Sequence, residues 1–144
     1  MIISSYGLSL ILAIIACVIG GVLGGMALAR PASMLAGVGG EAAEPGLDAL
    51  TQGRAFGGLL ILSHATAALF LGYQSSVGAA MAFALAMAWL GAALGRAASL
   101  LIDKARGRLN LGSLAFEVLI AVTLSLPFFN AGRLVVVRGA GMLV

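Results

Sequence analysis

Four ionisable side chains in an otherwise apolar chain have the chemistry to make a site: Arg54, His64, Arg96 and Glu117. Arg96 stands seven residues before Asp103, which opens a basic turn, and Glu117 stands seven residues after Asn110, which closes it. At a helical rise of about 1.5 Å per residue, both lie roughly 10 Å below the same membrane face, so the two can pair. An ionisable group inside a span costs about 2.5 to 3.5 kcal/mol on insertion scales, so such groups turn toward one another or toward a cavity. Two chemistries follow. One is a pocket in which Arg96, Glu117 and His64 hold the head of an amphiphile, a quinone or a lipid. The other is an ion pair that sets the register of two helices, with His64 hydrogen-bonded to a carbonyl or hydroxyl.

Arg54 lies ten residues before His64, about 15 Å along a helix and about 80° round it, on the same broad side. By the same spacing Glu117 shares a face with Ser113 and Asn110, and Arg96 with Trp89 and Asp103. Trp89 at this depth fills space or gives its indole N–H to a partner. No catalytic residue can be named from these types and spacings, and the chain reads as non-enzymatic.

The elements that must position these groups follow from composition. Of 144 residues, 62% are hydrophobic and 9% charged, with a mean hydropathy of +1.15, whereas about a quarter of a soluble domain is charged. Each span needs roughly 20 apolar residues, so the chain has room for four and no separate soluble module. The expected fold is all-α, a single-domain four-helix transmembrane bundle running up-down-up-down. Its spans cover about 2–29, 53–73, 77–102 and 111–129, with an extramembrane loop over about 31–52. Arg30-Pro31 ends the first span, and Gln74-Ser75-Ser76 makes a tight hairpin between the second and third. Pro127 bends the last turn of the fourth, and the tail after it is too short and broken for a fifth.

Lipid gives no hydrophobic reward for helix association, so small residues must supply close packing. Gly20, Gly21, Gly24 and Gly25 in the first span and Gly57 and Gly58 in the second are the candidates. The loop carboxylates Glu41, Glu44 and Asp48 lack the turn residues of a calcium loop and read as a solvated segment. Eight Lys and Arg against five Asp and Glu suit headgroup contact rather than nucleic acid. Arg30, Arg54, Lys104, Arg106 and Arg108 place both longer loops in the cytoplasm by the positive-inside rule.

Several functions are set aside. A bis-histidine haem needs more than the one histidine present, thiol exchange needs more than Cys17, and ligands for zinc or di-iron are lacking. Small drug exporters depend on an acidic residue in their first span, and none is here. Ile14-Ile15-Ala16-Cys17 loosely resembles a lipoprotein cleavage site, but no basic residue precedes the apolar run, which continues to Leu23; a thiol packed in a helix is the better reading.

Gln52-Gly53-Arg54-Ala55-Phe56-Gly57-Gly58, then Gly95-Arg96 with Ser99 and Asp103, then Glu117 together resemble the DUF4345 family, bacterial membrane proteins similar in layout to the DoxX-like group. Gln52 and Phe56 stand where that family carries an acidic residue and a tyrosine. The resemblance implies a multi-pass protein of the bacterial inner (cytoplasmic) membrane and groups Arg54, Arg96 and Glu117; the family's activity is unassigned. The leading expectation is a small accessory or assembly subunit of a larger membrane complex, its partners being membrane lipids and other membrane subunits, with no cofactor. The alternative is a binding module with a bound quinone or lipid at the Arg–Glu site, and the last a proton-coupled transporter using Glu117 and His64.

Overall fold

The computed structural model describes residues 5–34, 46–73, 76–104 and 108–140, with side chains in the last stretch described for 110–130. Its regular elements are four long helices: α1 (Ser5–Ala29), α2 (Leu47–Gly72), α3 (Ser76–Ile102) and α4 (Arg108–Ala140). Each holds a stretch long and apolar enough to cross a membrane, that of α4 being Asn110–Asn130.

The helix ends follow from local chemistry. In α1 the last i to i−4 bond runs from Arg30 N–H to Met26 O at 2.8 Å, because Pro31 has no N–H to continue the ladder and its ring restricts the residue before it. The chain turns helical again over 31–34. Gly46, in extended conformation, precedes α2 without a side-chain cap, and Asp48 sits in the first turn, where the helix dipole favours an anion. After α3, Asp103 N–H still reaches Ser99 O at 3.0 Å. Lys104 then takes the left-handed conformation, with φ of 55°, a position more often given to glycine.

One expectation is corrected here. α2 starts at Leu47, so 47–52 is not loop but the first turns of a helix, helped by Asp48 and by Thr51, whose hydroxyl bonds Leu47 O at 3.0 Å. The apolar stretch Asn110–Asn130 agrees with the expected fourth span, and α4 itself runs on to Ala140 with Pro127 in its interior. Glu41, Glu44, Gln74, Ser75 and Arg106 lie outside the described residues.

The core combines alanines with a few leucines and an isoleucine. Leu10, Ala13 and Cys17 of α1 meet Ala67 and Leu71 of α2, Ala82 and Ala86 of α3, and Ile120 and Leu124 of α4. Large apolar side chains such as Val18, Leu62, Leu94 and Leu119 point outward. Many large apolar groups outside and an alanine-rich interior suit a lipid surround, where contact must come from close packing of backbones. The chain thus fits a multi-pass membrane protein.

The α1–α2 seam is the tightest expression of this. A Cβ placed on Gly24 would lie 2.8 Å from Gly57 O, and one on Gly57 would lie 2.6 Å from Gly24 O. Gly20 lies against the His64 ring with no room for a methyl. At the other end of α2, Gly78 of α3 presses on the backbone of Phe70 and Leu71. From there toward the start of α2, the α2–α3 side opens into a cavity.

Candidate functional site

One cross-section of the bundle holds a chain of contacts through all four helices. His64 of α2 is fully buried, fitted against Gly20 of α1 because only glycine leaves space for the imidazole. Its Nε2 accepts a hydrogen bond from Trp89 Nε1–H of α3 at 3.0 Å. An indole N–H can only donate, so Nε2 carries the lone pair and Nδ1 the proton. Nδ1–H then donates to Leu60 O, 2.8 Å away. Trp89 in turn meets Phe116 of α4 edge to face, with ring centroids 6.0 Å apart. This layer forms the floor of the cavity.

Above it lies a space of about 400 Å³, within the range of ligand pockets of about 300 to 1,000 Å³. Most of its wall is apolar: Leu23, Leu59, Leu60, Leu85, Ala88 and Ala92 among others. Phe56 and Leu59 are both wall residues and largely exposed, so the space reaches the outer surface between α2 and α3. Its polar groups are Ser63, His64, Arg96, Ser113 and Glu117.

Arg96 of α3 and Glu117 of α4 meet there. Arg96 Nε donates to Glu117 Oε1 at 2.6 Å, with side-chain exposures of 25% and 6%. The contact has a single tooth, unlike the paired bonds an arginine fork and a carboxylate often make. Among the described residues, Glu117 Oε2 is buried and has no hydrogen-bond partner. A carboxylate oxygen in that position loses its hydration without replacement, which costs about 1 to 3 kcal/mol or more.

The other groups singled out from sequence are distributed differently. Arg54 lies outside this cluster: Nη1 donates to Leu28 O at 2.6 Å. That carbonyl belongs to the last turn of α1, where no intrahelical donor remains, and a cation is favoured by the helix dipole. Arg54 thus caps the end of α1 from α2 and is not in the cavity wall that holds Arg96 and Glu117. Of the six glycines, Gly20, Gly24 and Gly57 make close helix contacts, whereas a Cβ on Gly21, Gly25 or Gly58 would meet nothing within 4 Å. Cys17 is a buried free thiol among core residues.

The His64–Trp89 bond and the places of Ser63 and Phe116 were not read from sequence. A partial signal existed. His64 lies eleven residues before Ser75 and Trp89 fourteen after it, a depth difference of about 5 Å that a long indole can span.

The DUF4345 family, described as a domain of unknown function, matches residues 7–127. The chain belongs to this family. The match covers α1 from Gly7, all of α2 and α3, and α4 as far as Pro127, and thus every residue of the cavity wall. No curated protein matches the chain. No solved structure matches it either.

Proposed function

We propose that this DUF4345 protein is a non-enzymatic binding module of the bacterial inner membrane, taking the head of an amphiphile, a quinone or lipid, between α2, α3 and α4. The observation that carries this reading is the buried carboxylate oxygen, without a partner among the described residues, in the wall of a mostly apolar cavity. An ion pair that served only to register two helices would be favoured by full saturation of both partners, since unmet groups in a low-dielectric interior are costly. A proton relay through His64 has less support, because both ring nitrogens are engaged.

The experiment is native mass spectrometry of the full chain released from membranes. The wild type is expected to carry an amphiphile mass, which Ala92→Phe, filling the cavity from its wall, and Arg96→Ala both remove. A wild type that is empty under conditions preserving other lipid adducts overturns the reading.

A second reading, an accessory subunit, is supported by the open faces at Gly21 and Gly25 on α1. Affinity purification in mild detergent is expected to bring down a stoichiometric partner in that case, and recovery of the chain alone contradicts it.

A further inference from the structure

The hydrogen-bonding inventory of the cavity narrows the class of head it takes; this step rests on the amphiphile reading above. Arg96 and Glu117 neutralise one another across 2.6 Å, so the pair offers no net charge to a ligand. Glu117 Oε2 is an acceptor in need of a donor. The Nη1 and Nη2 groups of Arg96 lie outside the hydrogen bond with Glu117, on a side chain that is a quarter exposed in the cavity wall, and can donate to a ligand oxygen.

We infer that the site selects a neutral, hydroxyl-bearing head, one whose O–H donates to Glu117 Oε2 while an oxygen of the same head accepts from the Arg96 guanidinium. Other heads each leave something unmet. A quinone carbonyl or an ester only accepts, so it serves Arg96 and leaves Oε2 as it was. A fatty-acid or phosphate anion must approach a carboxylate, and an ammonium must approach a guanidinium, in surroundings that screen charge poorly. Ser113, also in the wall, adds a hydroxyl that bonds to either kind of oxygen, and Ser63, whose O–H donates to Leu60 O at 3.3 Å, can still accept. The apolar remainder of the wall, with its opening at Phe56 and Leu59, suits a chain running from the head out toward lipid. A glyceride and a quinol share this chemistry; a phosphatidic acid and an oxidised quinone do not.

The test uses the purified full chain in phosphatidylcholine nanodiscs and ligands that differ only in the head. Equimolar monoolein, methyl oleate and oleate are offered together, and the retained masses are compared by native mass spectrometry. A matched alkyl hydroquinone and alkyl benzoquinone form a separate pair that distinguishes a quinol from a glyceride as the source.

A hydrogen bond to a charged group is worth about 1.5 to 3 kcal/mol. Monoolein is therefore expected to exceed each competitor by about tenfold or more, or the hydroquinone to exceed the benzoquinone by the same factor. Glu117→Gln puts N–H donors where Oε2 stood, so the ratio of monoolein to methyl oleate should fall to near parity while circular dichroism stays helical. The wild-type ratios decide the matter even if that variant does not fold. Retention of all heads alike, or of oleate or benzoquinone best, overturns this inference and leaves the amphiphile reading in place. Retention of none above the level of Ala92→Phe removes both.

Discussion

From Phe56 to His64 the two sides of α2 are packed on opposite principles, although nearer its end Gly78 of α3 also touches the α2 backbone. Toward α1 the backbones touch at Gly24 and Gly57, and one added Cβ would overlap the facing chain. Toward α3 a side chain reaches across, Trp89 to His64, and beyond it Arg96 of α3 reaches Glu117 of α4. A seam of glycines leaves nowhere for a ligand. A seam of long side chains leaves a cavity of about 400 Å³ and one polar atom without a partner among the described residues. The rigid side gives the open side a fixed floor, because His64 is seated on Gly20 before it meets Trp89.

The comparison can be broken most strongly at the ion pair. Arg96→Ala leaves the Glu117 carboxylate buried without its counter-ion and should lower stability by about 3 kcal/mol, measured as helix loss against added dodecyl sulfate. Replacing both partners, Arg96→Met with Glu117→Leu, should restore much of that loss; no restoration would mean the charge is not what matters. On the glycine side, Gly57→Ala forces a methyl into the Gly24 carbonyl and should cost about 1 to 3 kcal/mol. Its neighbour Gly58→Ala meets open space and should gain about 0.5 to 1 kcal/mol from helix propensity. Equal effects at 57 and 58 would deny that α1 and α2 touch by backbone.

Smaller effects sharpen the picture. Trp89→Phe keeps an aromatic ring but leaves His64 Nε2 without its donor, at a cost of about 1 to 2 kcal/mol in the same assay. Arg54→Gln removes a cap from an exposed helix end and should cost about 0.5 kcal/mol, without changing which amphiphile is retained. A change in retention on that substitution would return Arg54 to the site.

Much of this architecture is legible in the chain. Four apolar stretches separated by Pro31, by a short polar turn and by a basic turn give four helices, because span length and helix breakers are local properties. Counting residues from the basic turn gives Arg96 and Glu117 the same depth, and their pairing follows. Rotation is harder. Gly20 and Gly21 are adjacent, yet one lies against His64 and the other faces open space, since about 100° of helix turn separates them and only the neighbouring helix decides which faces inward. Arg54 illustrates the same limit: its partner is a backbone carbonyl on another helix, and no residue type at position 28 signals it. Where α2 begins was obscured because 47–52 mixes Asp, Thr and Gln with apolar residues, a pattern that suits a loop or a helix start equally.

Trp89 is the single tryptophan of the chain and stands in the cavity wall, so its fluorescence reports on the cavity directly. The decisive measurement is quenching of that fluorescence in nanodiscs by monoolein brominated across its double bond, compared between the wild type and Ala92→Phe. Saturable quenching in the wild type, displaced by unbrominated monoolein and abolished in Ala92→Phe, is the predicted result. Quenching that rises in proportion to probe and is the same in both proteins, with a brominated alkyl hydroquinone as with the monoolein, would contradict an amphiphile seated beside Arg96 and Glu117.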